Sequence, residues 1–172
     1  VPAADGLTGE RVDGETANEA YQIARDVALN WQADAQLISA STTVEGFNSE
    51  LDLYAGNGIW SFQFYSPTAS AVSTVKVFDG EGSLLSGKRV EEALSAIDIN
   101  TWLIDSNRAM SIAMETGGNE FYRQNGSIAS IMQLAPNPDN GRMEWLAVLV
   151  NQNNGVVYQK KIDAMTGEIV PE

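Results

Sequence analysis

From Thr16 onward, apolar residues recur three and four apart, at Ala20, Ile23, Ala24, Val27, Ala28 and Trp31. This is the spacing of one face of an α-helix. Thr16 with Glu19 three positions later makes a capping box, in which a hydroxyl and a carboxylate satisfy backbone N–H groups left open at the first turn. The helix is therefore expected to start at Thr16 and run to Trp31. The period then shortens. Residues 36–44 are β-prone, and Gly46 and Asn48 supply turn chemistry after them. Over residues 59–65 strict alternation puts Trp60, Phe62 and Phe64 on one face before Pro67 closes the run. Residues 72–78 alternate again through Val75 and Val77, and the turn Asp79-Gly80-Glu81-Gly82 hands the chain to Leu84 and Leu85.

The order then repeats. Residues 88–96 read as a short linking helix and residues 102–104 as a brief extended piece. Asp105 or Ser106 caps a helix carrying Ala109, Ile112 and Ala113 to a stop at Gly117-Gly118. Strands follow at 127–134, 144–150 and 156–162, separated by the turns around Asn137-Pro138-Asp139 and Asn153-Asn154-Gly155. Trp60 and Trp145 hold matching places, with Asp-headed turns 19 residues on at Asp79 and 18 residues on at Asp163. The expected fold is α+β, with two tandem helix-plus-antiparallel-sheet units, each carrying one main helix on a three- or four-stranded sheet. Residues 1–14 form a flexible arm, 15–87 the first unit, 88–104 a linker with a short helix, and 105–172 the second unit. Trp60 and Trp145 each plug the core of their own unit.

Charge and composition narrow the function classes. Ten basic residues stand against 23 acidic ones, a net charge of −13, which repels phosphate backbones and anionic lipid surfaces. Nucleic acid and bare membrane are not expected partners; a cationic protein segment or a divalent cation is drawn by the same field. No run of about 18 apolar residues is present to cross a bilayer. The chain has no cysteine and no histidine, which removes disulfides, thiol chemistry, the usual zinc ligands and the usual general base. The opening Val1-Pro2-Ala3-Ala4-Asp5-Gly6 reads as the lead-in that follows a signal peptide or lipoprotein anchor.

Candidate sites divide into turns and exposed aromatics. Asp163 and Thr166-Gly167 are explained by side chains bonding a tight turn, with glycine supplying a positive φ. Asp79, Glu81 and Ser83 alternate as calcium ligands do, but Leu84 stands where an EF-hand loop needs glycine. Asn125-Gly126-Ser127 fits the glycosylation pattern and equally a turn entering a strand. No catalytic, metal or cofactor residue is expected. The aromatic handles for a partner are Trp31, Tyr54, and Phe121-Tyr122 beside Arg123.

The closing run Lys161-Ile162-Asp163-Ala164-Met165-Thr166-Gly167-Glu168-Ile169-Val170 resembles the terminal strand and turn of the PepSY family. Asp105-Ser106-Asn107-Arg108-Ala109 and Ala20-Tyr21-Gln22-Ile23-Ala24 resemble its helix entries, so two copies cover roughly residues 15–170. Where the family prefers Thr before the Gly, the first copy has Asp79-Gly80-Glu81-Gly82. The resemblance implies an extracytoplasmic (secreted, periplasmic or envelope-anchored) binding or inhibitory role, with restraint of a secreted peptidase as the expected use, and it does not imply catalysis; the missing histidine and cysteine set the expectation of a non-enzyme. The competing expectations are a receptor holding a small or cell-envelope ligand in a cleft between the repeats and, last, a carboxylate-based hydrolase. The oligomeric state is left open.

Overall fold

The structure, a computed structural model, describes residues 15–45 and 58–171. The capping box forms: the Glu19 N–H donates to the Thr16 hydroxyl at 3.4 Å, and the Thr16 N–H donates to the Glu19 carboxylate at 3.0 Å. Helix α1 then runs Ala17–Trp31. Strands β1 (Gln36–Glu45), β2 (Trp60–Ser66) and β3 (Ala71–Phe78) follow, with short β4 (Glu81–Leu84) and β5 (Lys88–Arg89) both paired to β3. Helix α2 (Ser106–Ala113) passes through a wide turn into α3 (Asn119–Gln124). The chain ends in β6 (Ile128–Pro136), β7 (Met143–Asn151) and β8 (Val157–Asp163).

Two separate sheets were expected, and the strands of the described residues form one. Its order is β4-β3-β2-β1-β6-β7-β8, with β5 beside β3, and the joint is the antiparallel ladder of β1 with β6 from Ala40↔Leu134 to Glu45↔Ala129. The first strands of the two halves pair with each other, which leaves neither as a free edge. The description as two tandem helix-plus-sheet units is therefore corrected to a single eight-stranded antiparallel sheet carrying the helices. The tryptophans do not plug separate cores. Trp60 and Trp145 are both buried, and their rings meet edge-on with centroids 6.2 Å apart. Trp102 packs on Trp145 at 6.1 Å and on Tyr21 of α1 at 5.6 Å. All three indole N–H groups have acceptors, as buried polar groups require. Trp60 donates to the Glu15 carbonyl at 2.8 Å, and Trp102 and Trp145 share the Ile104 carbonyl at 3.0 and 2.7 Å.

Small residues set the distance between helix and sheet. α1 buries Ala17, Ala20, Ala24 and Ala28, and a Cβ on Gly82 of β4 would lie 2.9 Å from Val27 and 3.1 Å from Ile23. Glycine at 82 lets α1 lie across β4. The linking helix expected at 88–96 is absent: Lys88 and Arg89 pair with Val72 and Ala71, and the Val90 N–H donates to the Ser70 carbonyl at 2.9 Å. Here a sheet edge that needs partners overrides helical preference. The two Asp-headed turns are also different objects. Asp79 and Gly80 both have positive φ, 50° and 75°, and make a two-residue hairpin loop between β3 and β4. Asp163 instead accepts the N–H groups of Met165 and Thr166 at 2.8 and 3.0 Å.

One surface carboxylate joins two connections. Asp34, between α1 and β1, accepts the Ser66 hydroxyl at 2.6 Å and the Thr68 N–H at 2.8 Å. The Ser66 hydrogen bond first, and then those of Thr68, hold its carboxyl down to about 2. A carboxyl depressed in the folded state stabilises above its unfolded value, and that contribution is lost as pH falls through the folded one. Wild type is thus expected to lose stability between about pH 4 and pH 2 more steeply than Asp34→Asn, in which the group no longer titrates. Denaturant melts across that window test this, and parallel curves would refute it.

Candidate binding edge

β8 is the last strand of the sheet, and its alternation gives it two different faces. Tyr158, Lys160 and Ile162 lie on the helix side, Ile162 fully buried opposite Trp145. Val157, Gln159 and Lys161 lie on the other side. The register with β7 is unbroken from Glu144↔Asp163 to Val150↔Val157. The backbone direction is fixed by the tail. The Asp163 N–H donates to the Glu168 carbonyl at 2.8 Å, and the Val170 N–H donates to the Lys161 carbonyl at 2.9 Å, around the bridge Ile162↔Ile169. Odd-numbered residues of β8 therefore turn their N–H and C=O away from β7. In agreement, even-numbered Val156 turns inward and accepts the Asn151 N–H at 2.8 Å. The tail covers the edge at Lys161 and Asp163. The outward groups of Val157 and Gln159 have no partner among the described residues.

The turn that starts the tail is held firmly. Burial works to raise the Asp163 carboxyl, but the Met165 and Thr166 N–H donors and the Arg142 guanidinium outweigh it and hold it below the usual range. Arg142 forms an ion pair with the almost fully buried Asp163 carboxylate. Gly167, at φ 80°, sits against Ile112 and Ile104, where its α-carbon needs both a left-handed backbone and a close approach.

An aromatic ledge flanks the edge on the helix side. The expected stop at Gly117-Gly118 is instead a widened turn over Met114–Gly118, with Gly117 at φ 132°. It leaves the Ala113 carbonyl to accept the Tyr158 hydroxyl at 2.8 Å. A Cβ at Gly117 would stand 3.1 Å from the Tyr158 ring, and Phe121 of α3 packs on the same ring at 5.9 Å. The Lys160 ammonium lies 5.9 Å from that ring's centroid, within reach of a cation–π interaction.

The aromatic handles are divided between the two ends of the sheet. Trp31 packs against Gly87, between β4 and β5, so it covers the far edge. Phe121 and Tyr122 are partly buried against the core, and Arg123 is exposed and paired with Glu120 at 3.3 Å. These three belong to α3, whose Phe121 reaches β8. Tyr54 lies outside the described residues. Sequence reasoning passed over Tyr158, Gln159, Lys160 and Lys161. The available signal was a strand bearing consecutive lysines at the end of a hairpin series, since lysine is common on unpaired edges.

Other chemistry is sparse. Among the described residues no group of three or more acidic side chains is placed to hold a metal, and no helix is long and apolar enough to cross a membrane. A shallow depression of about 160 Å³ lies over β6–β8, lined by Gln133, Pro136, Asn137, Glu144, Leu146 and Lys161. It is smaller than the few hundred Å³ typical of small-molecule sites, and Glu144 is already bonded by Asn137 at 2.8 Å. The line between the two halves is filled by the β1–β6 ladder and the Trp60–Trp145 contact.

No family model matches this chain, and no curated protein matches it. A crystal structure of a "putative lipoprotein" from Clostridium difficile 630 has the same fold, with a TM-score of 0.59 and 16% identity over 96% of this chain and 95% of that one.

Proposed function

We propose that this chain is a non-catalytic binding module of the cell envelope that receives an extended segment of another protein along the free part of β8. The observation that carries this reading is the pair of outward-facing backbone stations at Val157 and Gln159. A strand laid there would gain main-chain hydrogen bonds, and its alternate side chains would meet the Tyr158–Phe121 ledge. The tail already pairs with the same edge in this way at Ile169 and Val170. An envelope location draws support from the name of the structural neighbour, a "putative lipoprotein". The PepSY resemblance of the terminal turn supports restraint of a secreted peptidase as the use of this edge.

Gln159→Pro separates binding from folding. It deletes an N–H that faces away from β7, so the β7–β8 ladder keeps its bonds. Affinity capture from the secreted and envelope fraction of the source organism is expected to retain a protein on wild type and lose it on the proline variant, with melting points within a few degrees. If the retained protein is a peptidase, it is then inhibited at one-to-one stoichiometry. Equal retention by wild type and Gln159→Pro would rule out the edge.

A further inference from the structure

Resting on that reading, we infer that the segment held at β8 is acidic, with two neighbouring carboxylates that meet Lys160 and Lys161. The chain carries a net charge of −13, yet residues 157–161, whose backbone edge is free at Val157 and Gln159 and covered by the tail from Lys161 on, hold two cations and no anion. The first acid beyond it, Asp163, is turned into its own loop and paired with Arg142. Among the described residues neither Lys160 nor Lys161 has a carboxylate within 4.0 Å. Glu144, on the neighbouring strand β7 and on the same face as Lys161, is bonded by Asn137. The edge is thus a local reversal of the chain's charge.

Geometry adds a spacing rule. Lys160 shares the helix side with Tyr158, and Lys161 points to the opposite face. The tail stands at Lys161 itself, so an added strand reaches that lysine diagonally, from a residue beside Gln159 on the same face; one acid serves only one face, whereas two consecutive acids serve both, because successive side chains alternate. Apolar residues are then wanted further along, beside Tyr158 and the half-exposed Val157. Lysines on an open edge also repel a second copy bearing the same lysines. That leaves an acidic partner as the strand that fits.

The probes are three short peptides of equal length built on a Thr-Val-Val run and headed by two aspartates, two serines or two lysines. Backbone amide NMR of the full chain reports where each binds. The aspartate peptide is expected to shift the amides of Val157 and Gln159 and to bind roughly five- to tenfold more tightly than the serine peptide. That advantage should shrink as salt rises through about 0.1 M and vanish in the Lys160→Ser, Lys161→Ser double variant. Serine and aspartate peptides binding this edge equally would overturn the acidic inference and leave the edge reading standing. If no peptide moves those two amides, both fail. A concentration-dependent dimer formed through these amides would make the occupant a second copy and overturn the inference as well.

Discussion

Replacing Trp145 by alanine is expected to lower the stability of the entire chain by about 3–5 kcal/mol in one cooperative transition. The side chain is fully buried and touches Trp60 at 6.2 Å and Trp102 at 6.1 Å. Its N–H is one of two held by the Ile104 carbonyl. Because Trp60 belongs to β2 and Trp145 to β7, a cavity at 145 loosens both halves at once. Trp60→Ala and Trp145→Ala should therefore be non-additive, as residues in direct contact are. Should either alanine variant fail to fold, Trp145→Phe removes the N–H with less loss of volume and is expected to destabilise by about 1–2 kcal/mol. Calorimetry decides the matter. Two resolved transitions, one unmoved by the substitution, would mean that the halves fold independently.

Asp105→Ala should lower stability by about 2–3 kcal/mol, more than a single cap is worth, because this carboxylate serves two helices. It caps α2 by accepting the Ser106 N–H at 2.7 Å, and it accepts the Asn18 N–H of α1 at 3.0 Å. Beside it the Ser106 hydroxyl takes the Ala17 N–H at 2.9 Å. Two helix N-termini, each with a partial positive charge, thus meet at one anion. Asp105→Asn keeps an acceptor oxygen and is expected to lose much less than alanine. Urea melts of both variants test this. A loss of only about 0.5 kcal/mol for alanine would show that α1 does not depend on the carboxylate.

At the candidate edge, the residues chosen from sequence were Phe121, Tyr122 and Arg123, picked as aromatics and a cation following a glycine pair. They stand beside β8 because the wide turn at Met114–Gly118 redirects the chain into α3. The helix stop expected at those glycines pointed the other way. Trp31, also an aromatic at a helix end, packs on Gly87 at the opposite side of the sheet. Composition marks a side chain as able to bind. It does not say whether a neighbour has already used it. Gln159 illustrates the reverse: its value lies in its backbone, which only the pairing partners on either side can reveal.

Local physics was readable because its partners are close in the chain. The capping box spans three residues, the faces of β2 follow from alternation at Trp60, Phe62 and Phe64, and the Asp163 turn closes within five residues. The joint between the halves has no such signature. Alternation assigns each strand's side chains to a face, and it is identical whether β1 is an edge of a small sheet or the centre of a large one. The Asn18–Asp105 bond spans 87 positions and the Trp60–Trp145 contact spans the two halves. Such pairings follow from which surfaces exclude water together, a property of the assembled chain that no window of residues contains.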